Sequence, residues 1–335
     1  MKILVGFSGG VDSTGAIIIL RKLGFEPIAV TFIFNEFFEH QKTGEIAKKL
    51  SVELIKIDLR KDFEKGIIQK FIQEYRKGRT PNVCGWCNRE FKIKNLISLA
   101  DNLGIQWIST GHYARIVKSE NGVYIARAKY RKKDQSYFLS LVSPDHLHRI
   151  KFPLGEYSKE TVREIVKEAG ITIARDEESQ DVCFIRGKFR DFMEKRIGLK
   201  PGPIVGPDGK LAGYHRGVQY YTIGQRRGLE IALGRRVYVG KIDAENNEII
   251  LQEKEQIYRK FVRVKLINKF GSFVEKDYYV QIRNVHKAAP ARVEIAGDMA
   301  IVEFKSSQWA PTPGQIAAFY DGDILVAGGI IESSW

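Results

Sequence analysis

The densest chemistry in this chain lies in Ser8-Gly9-Gly10-Val11-Asp12-Ser13, directly behind the apolar run Ile3-Leu4-Val5-Gly6-Phe7. A buried strand that runs into a glycine turn and then a helix aims unpaired backbone N–H groups and a positive helix end at one point, which suits a phosphate. The glycines let the backbone approach closely, and the serines add hydroxyl donors. Asp12 would repel a bare phosphate, so it reads as a Mg²⁺ ligand or a helix-start residue. No lysine stands in the Walker A position, which excludes a kinase-type loop around β- and γ-phosphates. Without a ligand, the same residues would be only a glycine turn.

Sulfur supplies the second constellation. Cys84, Cys87 and Cys183 are the only cysteines, and the first two form a C-x-x-C pair in Thr80-Pro81-Asn82-Val83-Cys84-Gly85-Trp86-Cys87. Cys87 precedes an expected helix whose positive end would lower its thiol pKa. Cys183 follows Glu177-Glu178-Ser179-Gln180-Asp181-Val182, where acidic neighbours raise a thiol pKa and Arg186 and Lys188 offset them. Three chemistries fit: thiol or persulfide sulfur transfer, a 4Fe–4S cluster with one open position, or zinc completed by a histidine. Ordinary buried cysteines account for Cys183 but poorly for a pair in a polar turn.

These groups need a frame, and the first half supplies an alternating one. Strands are expected at Ile3–Phe7, Pro27–Phe32, Glu53–Ile57 and Gln106–Ser109. Helices are expected at Asp12–Leu23, Lys42–Leu50, Arg60–Arg76, Asn88–Leu103 and Ser158–Ala169. That order implies a parallel sheet covered on both faces, with ligands outside the strands' carboxyl ends. Thr110-Gly111-His112-Tyr113 would then share a rim with the glycine loop, where Gly111 admits a base and His112 donates to it. A lone histidine is equally often a hydrogen-bonded structural residue.

After about Gly187 the periodicity shortens. Tyr238–Ile242 and Glu248–Leu251 flank Asn246-Asn247, and Arg292–Ile295 and Ala300–Phe304 flank Gly297-Asp298 as a hairpin. Ile316–Tyr320 and Ile324–Ile331 also read as strands. The expected fold class is α/β: a parallel-sheet nucleotide domain over 1–186, a small central domain over 187–254, and an antiparallel β-barrel-like domain over 255–335.

A net charge of +14 over 335 residues points to a polyanionic partner. Arg127, Lys129, Arg131, Lys132 and Lys133 crowd one stretch, and further basic pairs follow in the later domains, a footprint longer than a mononucleotide. No apolar stretch approaches a membrane-spanning length, no secretory-signal pattern follows Lys2, and three cysteines argue against a disulfide framework. A cytoplasmic nucleic-acid-binding protein is the expectation.

The hexapeptide resembles the loop of the ATP pyrophosphatases. Nearly the whole chain resembles the tRNA-specific 2-thiouridylases: Gly6–Ser13, Thr80–Arg89, Thr110–Tyr113, Lys133–Leu139, Pro153–Tyr157, Ser179–Phe184, Thr222–Leu229 and the closing Gly314-Gln315 and Phe319–Gly322. The resemblance implies ATP-dependent adenylation of the wobble-uridine 2-carbonyl, then sulfur attack and departure of AMP. It makes Gly6, Phe7, Ser8, Gly9, Gly10, Val11, Asp12, Ser13, Ile33 and Gly111 the ATP contacts. Asn82, Val83 and Cys84 would border the target base, and His112, Lys133, Asp134, Gln135 and Gln315 would contact tRNA. Cys183 would carry a persulfide received from a cysteine-desulfurase relay, with Cys87 as the nucleophile. Some members carry aspartate where this chain has Cys84, which supports the alternative of a 4Fe–4S cluster on Cys84, Cys87 and Cys183. Where the family often has a Tyr-Arg pair against tRNA, this chain has Asn284-Val285, followed by His286-Lys287. Rival readings are another ligase built on the same loop and a non-catalytic tRNA-binding protein.

Overall fold

The computed structural model describes residues 1–36, 40–120, 122–173 and 182–335. Five parallel strands form the first sheet: β1 (Lys2–Gly6), β2 (Glu26–Ile33), β3 (Leu54–Asp58), β4 (Trp107–Thr110) and, after the hairpin β5 (Ala114–Ser119) and β6 (Gly122–Arg127), the short β7 (Ile150–Lys151). Their order is β3-β2-β1-β4-β7, so the connection direction reverses at β1. Register places Gly6 beside both Val30 and Thr110, putting the glycine loop at the carboxyl edge where the order reverses.

β1 is apolar on both sides because both faces are covered. Ile3 and Val5 pack with Ala16, Ile17 and Leu20 of α1 (Val11–Lys22), Ile46 and Leu50 near α2 (His40–Lys49), and Val162 and Val166 of α5 (Lys159–Glu168). Leu4 belongs to the opposite core, with Phe63 and Phe71 of α3 (60–76) and Trp86 and Leu96 of α4 (83–102). Both α3 and α4 contain a π-turn segment, Glu64–Ile68 and Asn88–Ile93. The two helices touch where Gly66 leaves room for Phe91: a Cβ on Gly66 would lie 3.0 Å from the ring.

Beyond α6 (Phe189–Ile197), the four strands β8 (Gly202–Val205), β9 (Leu211–His215), β10 (Tyr238–Asp243) and β11 (Glu248–Gln252) form a second sheet in the order β10-β11-β8-β9. The third sheet contains β12 (Tyr258–Lys269), β13 (Lys276–Gln281), β14 (Ala289–Ala296), β15 (Met299–Trp309), β16 (Ile316–Asp321) and β17 (Ile324–Ser334). Pairing of β12 with both β15 and β17 closes these six antiparallel strands into a barrel. Closure removes the exposed edges, and Val264, Val280, Val302 and Phe304 fill the interior.

Both expected turns join antiparallel strands, and Asn247 and Gly297 adopt positive φ there, 52° and 64°. The β5–β6 hairpin was not anticipated; it extends the barrel sheet by pairing Ala126 with Ile324. The helix expected from Asn88 starts five residues earlier, because Asn82 caps it by accepting a bond from Gly85 N at 3.1 Å. The barrel docks on this helix start: a Cβ on Gly85 would meet Ile316 Cδ1 at 2.3 Å. Arg89 bonds Asn268 at 2.8 Å, and Arg79 pairs with Glu332 at 2.8 Å.

Candidate active site

The carboxyl ends of β1, β2 and β4 open into a cavity of about 700 Å³. Gly6, Phe7, Ser8, Gly10, Val11, Asp12, Ser13 and Gly111 line it, while Gly9 and Ile33 do not. Alternation along β2 explains Ile33: Val30, Phe32 and Phe34 face the cavity, and Ile33 lies between them in the pleat. Gly9 serves the turn itself, at φ +74°, tucked against Thr43.

The loop's serines are less free than their sequence suggests. Ser13 Oγ accepts from Ser8 N at 3.2 Å and donates to Gly10 O at 3.1 Å, while Ser8 Oγ accepts from Gly10 N at 3.4 Å. The hydroxyls therefore shape the loop. Asp12 stands in the first turn of α1, and its Oδ1 accepts from Tyr113 OH at 2.7 Å and Lys159 Nζ at 2.8 Å. One carboxylate beside a phosphate loop fits Mg²⁺, which takes one or two carboxylates plus phosphate oxygens. Gly111 brings β4's exit onto that turn: a Cβ there would lie 2.9 Å from Asp12 C and Ser13 N.

His112, Lys133 and Gln135 share the cavity wall. His112 is pinned by Thr110 Oγ1 at 2.7 Å from its Nδ1, and burial, with the Lys92 cation adding to it, drives its pKa down to about 3. The imidazole is neutral at physiological pH. Gln135 is held by Tyr113 N through its side-chain oxygen at 3.0 Å. Asp134 is placed differently from a nucleic-acid contact: its carboxylate is enclosed and accepts from Arg127, Ala128 N, Ser136 N and Ser136 Oγ. Arg127 likewise leaves the expected basic patch. It pairs with Asp134 at 2.9 Å and stacks over Tyr320 at 3.6 Å.

None of the three cysteines lines this cavity; Lys92 on its wall lies within electrostatic reach of all three. Cys84 and Cys183 are exposed and Cys87 is buried. Burial pushes the Cys87 thiol up to about 12, against the lowering effect of Lys92. This reverses the helix-start expectation, because Cys87 sits inside the continuous helix 83–102 rather than at its first turn. Although Cys84 and Cys183 reach the surface, enclosure by the surrounding protein raises their thiols as well, again opposed by Lys92. The acidic run Glu177–Asp181 invoked for Cys183 lies outside the described residues, as does the Ser179–Asp181 part of the motif. Phe184 anchors Cys183 by packing among Phe63, Phe71 and Phe192, with ring centroids 5.8, 5.3 and 5.7 Å away. Asn35, beyond β2, donates to Cys183 O at 3.3 Å. Among the described residues, no group of three His, Cys, Asp or Glu side chains converges closely enough to hold a single metal ion.

Asn82 and Val83 are buried at the helix start beside Cys84. Gln315 lies farther off, donating to Thr80 O at 2.8 Å. It lines a second cavity of about 200 Å³ with Thr80, Thr222, Arg283, Asn284 and Val285, where all three sheets' domains meet.

Sequence reasoning missed Lys92, Lys159 and Arg163, all on the wall of the large cavity. Lys92 lies in electrostatic reach of all three thiols; burial lowers its pKa, but thiolate charge at Cys87, Cys183 and Cys84 outweighs this and leaves it raised. The π-turn positions it: i and i+5 are hydrogen-bonding neighbours in such a turn, whereas an α-helix would separate Cys87 from Lys92 by about 140°. No sequence signal marks this. Lys159, Arg163 and Lys167 do carry one, an i, i+4, i+8 basic stripe.

Comparison with known proteins follows the same division. Residues 1–187 match the family model "tRNA methyl transferase HUP domain", 190–253 the "tRNA methyl transferase PRC-barrel domain", and 261–331 the "Aminomethyltransferase beta-barrel domain". The tRNA-specific 2-thiouridylase MnmA of Aquifex aeolicus is 42% identical over 100% of this chain and 99% of its own length. That of Syntrophomonas wolfei is 38% identical over 99% of this chain and 100% of its own. MnmA 3 of Bacteroides fragilis is 39% identical over 99% and 94%.

Proposed function

The chain belongs to the tRNA-specific 2-thiouridylases, and from that premise we propose how its own residues carry the reaction. ATP lies with its pyrophosphate on the Ser8–Ser13 loop and its base against Gly111 and the β2 edge. The wobble uridine, flipped from its stack, enters between Asn82–Cys84 and the nucleotide. Its 2-carbonyl oxygen attacks the α-phosphorus and pyrophosphate leaves, which converts a poor leaving group into AMP. Cys183 carries the terminal sulfur as a persulfide delivered by a cysteine-desulfurase relay. Cys87, as the thiolate that the Lys92 ammonium favours against burial, attacks the Cys183 Sγ of the persulfide, forming a Cys87–Cys183 disulfide and releasing the outer sulfur as hydrosulfide. Hydrosulfide attacks C2, the C2–O bond breaks, and AMP departs with the oxygen.

Asp12 would hold Mg²⁺, which supplies charge neutralisation on the phosphates when bound. Tyr113 and Lys159 orient that carboxylate. Neutral His112 donates or accepts a hydrogen bond without carrying charge into the base pocket. Lys133, Gln135 and Gln315 face the tRNA, and the units 1–186, 187–254 and 255–335 divide the labour between chemistry and grip.

The single observation behind this reading is that one cavity wall runs from the glycine loop past His112 to Lys92, which lies within electrostatic reach of the three thiols. The test pairs nucleoside analysis of tRNA with iron and acid-labile sulfide assays on protein purified without oxygen. Cys183→Ser is expected to abolish 2-thiouridine while retaining tRNA-dependent pyrophosphate release, in iron-free protein. Unchanged thiolation in that variant refutes the scheme. Near-stoichiometric iron that tracks activity and is lost in Cys84→Ala would replace the persulfide with the cluster.

A further inference from the structure

The residues that lead into the cysteine helix take their placement from outside their own domain. Helix α3 ends at Arg76, and Gly78, at φ +69°, turns the chain; a Cβ there would lie 2.7 Å from Ile242 Cγ2 of β10. Arg79, Thr80, Pro81 and Asn82 then run to Val83, where α4 begins. Proline has no N–H, so after Arg79 the backbone donors here are those of Thr80 and Asn82. Both go to the barrel: Thr80 N donates to Pro313 O at 2.9 Å and Asn82 N to Gly314 O at 3.3 Å. Gln315 returns a side-chain N–H to Thr80 O at 2.8 Å, and Thr80 Oγ1 donates to Thr222 Oγ1 of the central domain at 3.0 Å. Gly314, at φ +91°, permits the approach, since a Cβ there would lie 3.0 Å from Thr80 C and O. Buried backbone groups must be paired, so Asn82 and Val83, both buried, stand where the barrel puts them.

Arg79 fastens this seam. Its side chain is only 19% exposed and donates Nε to Glu74 Oε2 at 2.7 Å. Nη1 donates to Glu332 Oε2 at 2.8 Å, and Nη2 to Glu332 Oε1 at 2.9 Å and Ile331 O at 3.3 Å. Glu74 belongs to α3 and Glu332 to β17, so one planar guanidinium bridges the first domain and the barrel, with two parallel bonds on the barrel side. Burial works against its charge, and the Glu332 and Glu74 carboxylates outweigh that effect.

We propose that Arg79 is a positioning residue for thiolation: through Glu332 it holds barrel residues 313–315 against Thr80 and Asn82, and this contact sets where Asn82 and Cys84 stand against the target base. A barrel that is not seated leaves Thr80 N and Asn82 N without their acceptors. The Ser8–Ser13 loop, built on β1 and α1, is untouched by that change. Misplacement of a reacting group by about 1 Å costs on the order of a hundredfold in rate, so loss of the clamp falls on the rate of thiolation rather than on nucleotide affinity.

This inference rests on the reading that Asn82, Val83 and Cys84 border the wobble uridine, and its test separates the two. The full chain is compared with Arg79→Met, Arg79→Lys, Glu332→Gln, Asn82→Ala and Val302→Ala, the last removing a buried side chain inside the barrel away from the seam. Single-turnover thiolation is measured at saturating ATP and tRNA, with separate titrations of ATP and tRNA and amide exchange over residues 79–87. Arg79→Met is expected to slow thiolation at least tenfold and speed exchange in that stretch, with both affinities within threefold. Arg79→Lys keeps the charge but not the fork and should recover part of the rate. Glu332→Gln should fall between, and carries the test where Arg79→Met does not fold. Val302→Ala should lower the thermal midpoint and keep the rate within twofold. An Arg79→Met rate within twofold of wild type, or an equal loss of rate in Val302→Ala, overturns the assignment. Wild-type thiolation in Arg79→Met with loss in Asn82→Ala removes Arg79 alone and leaves the base cradle standing. Wild-type thiolation in Asn82→Ala overturns the cradle and this inference with it.

Discussion

Gly111→Ala puts one methyl group into the seam between β4's exit and the first turn of α1. The new Cβ would lie 2.9 Å from Asp12 C, 2.9 Å from Ser13 N and 3.1 Å from Asp12 O, all backbone atoms that cannot rotate aside. Ordinary contact begins near 3.4 Å, so the two segments must part by about 0.5 Å. Overpacking of this kind costs about 1–3 kcal/mol. For a domain of this size that is a fall of roughly 2–12 °C in thermal midpoint. The same displacement moves Asp12 and Ser13 relative to a bound nucleotide, where misplacement by about 1 Å costs on the order of a hundredfold in rate. A tenfold or greater fall in single-turnover thiolation, with weakened ATP binding, is therefore expected. Gly44→Ala is the control, since its nearest neighbour would be Lys56 Nζ at 4.0 Å inside a helix. It should gain about 1 kcal/mol and keep full activity. A Gly111→Ala protein with wild-type midpoint and wild-type ATP affinity would refute the argument that this seam sets the site.

His112 and the basic run give two further tests. His112 titrates near 3 when folded and near 6.5 when unfolded, so the unfolded chain binds the extra proton between these values and stability falls with acidification below about 6.5. His112→Gln should remove about 2–3 kcal/mol of the stability lost between pH 7 and 4.5, read by denaturant titration at both pH values; an unchanged difference sinks the claim. Affinity for tRNA should fall steeply with salt. Lys132→Ala with Lys133→Ala should reduce the log–log slope by about 1 per lost phosphate contact. Arg127→Ala should destabilise the chain and leave the slope alone, because its guanidinium is spent on Asp134 and Tyr320. Equal slopes in all three proteins would remove the run from the footprint.

Local residue types set the nucleotide frame. Ile3 to Val5 are apolar without alternation because both faces of β1 are covered, and Gly9 and Gly10 follow at the strand's end, so strand, turn and helix are each local consequences of residue type. The two hairpins announced by Asn246-Asn247 and Gly297-Asp298 are local in the same sense. Tertiary structure decided what no local pattern carries. Cys87 looks like a helix-start thiolate, but a cap five residues upstream puts it in mid-helix, and burial then overrides the helix end. Arg127 and Asp134 look like members of a surface patch, yet each neutralises the other beneath the barrel. Lys159 meets Asp12 across 147 residues only because Gly15 lets α5 press against α1. Burial and long-range pairing set the charge of a side chain, and both depend on which distant segments pack around it, so the motifs are legible in sequence while their protonation and partners are not.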